Sequence, residues 1–120
     1  MAIQKFEDII AWQKAQDIAV DIYTTFGDLK DYSFKDQICR ASVSISNNIA
    51  EGFDRNSDAD FAKFLYYSKG SCSEVRSMLY LASRLNLIEN EAKTELIKKT
   101  QEISKIITGL IKSLNFKSKK

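Results

Sequence analysis

Proline is absent from this chain and glycine occurs only four times, so the punctuation needed for hairpins and tight turns is nearly missing. Between the few breaks, apolar residues recur every three or four positions, which is the period of a helix surface. The chain is therefore expected to be all-α. Four helical segments follow from the spacing, at about 7–26, 33–52, 57–87 and 90–115, with a basic tail at 116–120. Short links between long helices favour antiparallel neighbours, which makes an up-down-up-down four-helix bundle the expected architecture. A length of 120 residues suits one core, so a single domain is expected over 1–120.

The first segment presents Trp12, Ala15, Ala19, Ile22 and Phe26 in a 3-4 rhythm and stops near Gly27, before a polar link that reads DLKDYS. Ser33 with Asp36 has the form of a capping box and opens the second segment. Its inward line is Phe34, Ile38, Ala41, Ile45 and Ile49, and Gly52 is placed to close it as a C′ residue. Ser57 with Asp60 repeats the capping pattern ahead of a third seam, Phe61, Phe64, Ser68, Ser71, Val75, Met78, Ala82 and Leu85. Gly70 inside that long helix predicts a bend or a close neighbour. Glu89 and Asn90 mark the last turn, and Leu96, Thr100, Ile103, Ile107, Leu110 and Leu114 form the fourth seam.

The chemistry available is narrow. No histidine is present, which removes the usual general base, the serine triad, the Cys-His pair and most transition-metal sites together. Cys39 and Cys72 are too few for a disulfide framework or a cysteine-only zinc site, and read as small buried apolar residues. Four scattered glycines make neither a phosphate loop nor a dinucleotide fingerprint, so no cofactor is expected. The N-terminus carries charges throughout and no stretch is long and apolar enough to span a bilayer, so a cytoplasmic protein is expected.

Charge is uneven. Residues 1–60 sum to −5 and residues 61–120 to +7, so a net charge of only +2 conceals a polarised molecule. Lys63, Lys69, Arg76, Arg84, Lys98, Lys99, Lys105 and Lys112 are the candidates for phosphate contact. A second feature lies in the stretch DQICRASVSISNNIAEG, where Arg40, Ser44, Asn47 or Asn48, and Glu51 fall on one helix face beside the apolar line. Ser71 and Glu74 on the third helix match them. Arg40, Ser44, Asn48, Glu51, Ser71 and Glu74 are read as a structural polar network that fixes helix register through hydrogen bonds and an Arg–carboxylate pair. The functional alternative is a cleft or subunit interface.

These same residues carry a resemblance. Trp12-Gln13-Lys14-Ala15, Asp36-Gln37-Ile38, Arg40-Ala41-Ser42-Val43-Ser44-Ile45, Asn48-Ile49-Ala50-Glu51-Gly52, Phe61, Phe64-Leu65, Lys69-Gly70-Ser71 and Glu74 resemble the bacterial four-helix-bundle 23S rRNA-intervening-sequence proteins. The resemblance covers roughly residues 6–88. Ser46 departs from it, since the family usually carries proline there. The resemblance implies an antiparallel bundle, often assembled as a homopentamer, with no established catalytic activity. It also implies a relation in fold to the accessory protein of diversity-generating retroelements, which is thought to bind nucleic acid through a basic surface.

Three functions compete. The first is a non-catalytic oligomeric adaptor associated with RNA or DNA. The second is a protein–protein scaffold without nucleic acid, using Tyr66, Tyr67 and Tyr80. An enzyme would rest on Arg40, Glu51 and Glu74 alone, so catalysis is not expected, and no small-molecule substrate or membrane partner is evident.

Overall fold

The computed structural model describes residues 3–114. A short 3-10 turn, Phe6–Asp8, leads into four helices: α1 (Ile10–Phe26), α2 (Tyr32–Phe53), α3 (Asp58–Arg84) and α4 (Asn90–Ser113). Among the described residues these are the only regular elements. They form an antiparallel four-helix bundle in which each helix packs on its neighbour in sequence and α4 closes against α1. The register is visible in the contacts: Gln37, Ser44 and Ile45 of α2 meet Glu74, Ser71 and Ser68 of α3, one rising as the other falls. The expected basic tail, 116–120, and the last residue of the expected fourth helix lie outside the described residues.

The inward line of α2 is as its spacing predicts: Phe34, Ile38, Ala41, Ile45 and Ile49 are all buried. For α1 the line is shifted. Ala11, Ala15, Ile18, Ile22 and Phe26 are buried, while Trp12 and Ala19 sit at the edge. Trp12 instead packs edge-on against Phe6, with ring centroids 5.3 Å apart, and covers the end of the core. In α3 the seam runs through Phe61, Leu65, Ser68, Cys72, Val75, Leu79 and Ala82, so Phe64 and Ser71 flank it and Leu85 is exposed. In α4, Ile111 is buried where Leu110 was expected, and Leu114 is only half-buried.

Helix ends show why local signals are ambiguous. Asp31, not Ser33, caps α2 by accepting the Phe34 N–H at 3.1 Å, because this start swings Phe34 against Phe26 with ring centroids 5.7 Å apart. Ser57 caps α3 as its pattern predicts, accepting the Asp60 N–H at 3.1 Å. The end of α3 is set by Asn86 rather than by Glu89 and Asn90. Asn86 takes φ 59°, its N–H reaches Ser83 O, and the Leu87 N–H reaches Ala82 O at 2.8 Å. That is a Schellman ending with asparagine in the left-handed position. It turns Leu87 back onto the core.

Two glycines differ from what their sequence positions suggest. Gly52 lies inside α2 and does not terminate it: a Cβ there would come 2.6 Å from Phe64 Cβ, so α3 crosses against its bare backbone. Gly70 is exposed, with nothing within 4 Å of a Cβ built on it, and α3 runs unbroken through it. The close neighbour expected at Gly70 is therefore found at Gly52.

Candidate functional site

The polar stripe of α2 meets α3 in an open groove. Ser71 Oγ donates to Ser44 Oγ at 2.9 Å, and Asn48 Nδ2 donates to both the hydroxyl and the carbonyl of Ser44 at 2.9 Å. Beneath them Ser68, fully buried, donates to Ile45 O at 2.7 Å. Gln37 reaches Glu74 at 3.4 Å, which draws Glu74 to the α2 side of α3. Arg40 and Glu51 stand apart from this cluster. Arg40 is exposed over the groove beside Asp36 and Ser44, and Glu51 pairs with Arg55 at 3.1 Å within α2. The Arg–carboxylate pair expected between helices is therefore an intrahelical one on the surface, and Arg55 also lies over the Phe64 ring, 4.6 Å from its centroid. No buried side-chain polar atom lacks a partner among the described residues.

Seven of the eight basic candidates fall into four groups, and the eighth, Arg84, is exposed at the end of α3. Lys99 is bound to Asp21 of α1 at 2.7 Å, which raises its pKa chiefly through that hydrogen bond. Lys63 lies 5.9 Å from the Phe64 ring centroid, on the flank of α3 nearer α2. Lys98, Lys105 and Lys112 are all exposed, one heptad apart, opposite the buried line Leu96, Thr100, Ile103, Ile107 and Ile111. At 1.5 Å per residue they stand about 10.5 Å apart along α4. Lys69 and Arg76 share the side of α3 that borders α4. That side is identified by Cys72, whose thiol donates to Thr100 O at 3.1 Å, and by Tyr80, whose ring lies 6.0 Å from Lys93 Nζ.

Carboxylates are sparse on this face, where Glu91 lies exposed one heptad ahead of Lys98. Between Phe61 and Arg84 the single acid is Glu74, which is turned toward α2. On α4, Glu102 pairs with Lys14 of α1 at 3.4 Å, and Glu95 shares the α1 side with Asp21 and Lys99. Among the described residues Lys69, Arg76, Arg84, Lys98, Lys105 and Lys112 have no acidic partner within ion-pair distance. Glu91 apart, the α3–α4 face is thus a cationic surface whose charges are free to meet an anion.

The family profile of the 23S rRNA-intervening sequence proteins matches residues 7–109. The chain belongs to this family. A protein with unknown function from the S23 ribosomal protein family of Bacteroides thetaiotaomicron, solved as a crystal structure, is 28% identical. It superposes with a TM-score of 0.81 over 87% of this chain and 100% of that one. No curated protein matches the chain.

Within the 23S rRNA-intervening sequence family, Ser46 gains meaning from its place in the structure. It is buried, accepts a hydrogen bond from Gln16 Nε2 of α1 at 3.0 Å, and back-bonds to Val43 O at 3.4 Å. Where proline would remove a backbone donor, α2 here is continuous and carries a side-chain link to α1. The Gln16 partner was not legible in the sequence, because an exposed glutamine on α1 carries no mark of the helix beside it.

Both cysteines are buried, as their small apolar character predicts. Burial pushes the Cys72 thiol from the ordinary 9.0 up to about 11, and burial also raises Cys39. Neither is a thiolate at neutral pH, so neither has the character of a nucleophile. Among the described residues no three His, Cys, Asp or Glu side chains converge to hold a metal ion, and no helix is long and apolar enough to cross a membrane.

Proposed function

We propose that this 23S rRNA-intervening sequence protein is a non-catalytic, homo-oligomeric adaptor, a pentamer by family resemblance, that docks on RNA or DNA through the α3–α4 face. The observation that carries the reading is the heptad ladder Lys98, Lys105 and Lys112, exposed and without acidic partners, with Lys69 and Arg76 on the adjoining side of α3. Contacts of this kind are made to phosphates, depend on salt, and carry no sequence preference. Lys99 is left out of the set because Asp21 already holds it.

Assembly has its own support on the opposite flank of α3. Tyr67 stacks edge-on against Phe64 at 5.5 Å and is half exposed, and Leu81, two heptads further along, and Leu85 are 47% and 50% exposed. An oligomer would bury these apolar side chains around Glu74, which also favours the scaffold reading in which no nucleic acid takes part.

The test is light scattering with and without RNA, combined with an anisotropy titration across salt. The expected result is an oligomer whose log affinity for RNA falls linearly with log salt concentration. Replacing Lys98, Lys105 and Lys112 together by glutamine is expected to flatten that slope by about 2. An oligomer that binds no RNA leaves the scaffold. Affinity unchanged over a several-fold rise in salt removes the phosphate-contact reading altogether.

A further inference from the structure

The proposed phosphate contacts leave the aromatic residues of the same face without a role. Tyr66 and Tyr80 are 58% and 51% exposed, and what sets them apart from the other exposed tyrosines is the cationic edge they share. They lie two heptads apart on α3, and the positions between them at helical spacing are Lys69, Ser73 and Arg76. The line Tyr66, Lys69, Ser73, Arg76, Tyr80 therefore runs about 21 Å along the outer edge of α3 on the α4 side. Two cations lie between the two rings and no carboxylate interrupts the line.

Gly70 belongs to the same surface. It lies four residues beyond Tyr66 and three before Ser73, it is exposed, and nothing in the protein lies within 4 Å of where its Cβ would be. A glycine in mid-helix weakens the helix, and no packing in the bundle requires this one. With Ser73 and Ser77 it leaves the helix backbone low between the two rings.

Resting on the nucleic-acid reading above, we infer that this edge is a stacking track for a single-stranded nucleic acid. Unpaired bases lie on Tyr66 and Tyr80, while Lys69, Arg76 and the α4 lysines follow the phosphates. Aromatic rings for the bases combined with cations for the backbone, without hydrogen-bond readout, is how sequence-tolerant single-strand binders work. A duplex has its base faces covered and cannot use exposed tyrosines in this way. The α4 ladder alone would serve duplex and single strand alike. The tyrosines select the single strand.

The experiment uses the full chain with two probes, a labelled oligouridylate of about 12 nucleotides, within the span of known single-strand sites, and an RNA duplex of equal length. The single strand is expected to bind more tightly. Tyr66→Ala and Tyr80→Ala should each weaken it about five-fold or more and leave duplex affinity unchanged, whereas Tyr66→Phe and Tyr80→Phe keep the ring and the affinity. Both tyrosines are exposed, so the variants should fold, which circular dichroism checks. If the alanine variants bind the single strand as well as the parent while the lysine triple variant does not, stacking is wrong and the phosphate reading stands. If the parent binds neither probe at low salt, both readings fall. A lowered mass of the alanine variants in light scattering would assign the tyrosines to a protein contact and overturn the inference.

Discussion

Where α3 crosses α2, the helices meet through small residues and short hydrogen bonds. Gly52 presents bare backbone to Phe64, Ser68 donates to Ile45 O at 2.7 Å, and Ser71 donates to Ser44 at 2.9 Å. Where α4 meets α1, the polar links are long side chains reaching over the aliphatic core, Lys99 to Asp21 at 2.7 Å and Lys14 to Glu102 at 3.4 Å, all partly exposed. The first seam is defined by distance, since a single added carbon or a lost hydroxyl has nowhere to be absorbed. The second is defined by charge, which solvent screens and flexible stems accommodate. One bundle thus has a rigid side and an adjustable side, and α3 carries the rigid contact on one flank and the proposed ligand track on the other.

The sharpest way to break this contrast is to add one methyl group at each of two glycines. Gly52→Ala should cost about 3 kcal/mol, at the upper end of overpacking effects, because the atom it strikes is a Cβ fixed to the α3 backbone. Gly70→Ala is the control on the same pair of helices. Open space surrounds that Cβ, so the ordinary helical advantage of alanine should appear as a gain of about 0.5–1 kcal/mol. Urea unfolding of both variants reads the difference directly. Equal signs at the two sites would mean that α2 and α3 are not held at the distance described.

Next in size is Ser68→Ala. The hydroxyl is buried and its partner lies on the neighbouring helix, so its loss removes one interhelical hydrogen bond and should cost about 1 kcal/mol, and less than 2 kcal/mol. The loss should be the same in low and high salt. A salt-dependent cost would place the Ser68 contact in solvent and dissolve the distinction between the seams.

How much of this was readable in advance follows the same division. The aliphatic line of α2 was fully legible, because Phe34, Ile38, Ala41, Ile45 and Ile49 recur at one helical period. The cap at Ser57 was legible for the same local reason. The start of α2 was not, since Asp31 and Ser33 can both accept an N–H, and the choice is made by Phe34 packing on Phe26, a contact outside the local window. Gly52 and Gly70 look alike in sequence, and only the path of α3 separates a packing glycine from an open one. The polar stripe was found as a face, but its members divide by their partners: Ser44, Asn48 and Ser71 join, whereas Glu51 turns to Arg55. Among the basic residues, Lys99 and Lys98 are adjacent in sequence and differ only in what α1 offers, an acid 78 positions away for one and solvent for the other.

The smallest expected effect belongs to the adjustable seam. Asp21 and Lys99 are 35% and 41% exposed, so despite a 2.7 Å contact the pair behaves as a surface ion pair and should contribute under about 1 kcal/mol. A double-mutant cycle with Asp21→Asn and Lys99→Gln isolates it from the costs of either substitution alone. The folded-state pKa of Lys99 is raised, first by its hydrogen bond to Asp21, so the coupling is complete below the ordinary lysine pKa and is lost as pH climbs through the raised value. Raising salt to about 1 M, where the screening length falls to roughly 3 Å, should shrink the same coupling. Because this lysine is already occupied, Lys99→Gln should leave the salt slope of RNA binding where it was, in contrast to the Lys98, Lys105 and Lys112 replacement. A coupling that survives high salt, or a slope that drops with Lys99, would move this residue from the seam to the interface and redraw the boundary between the two.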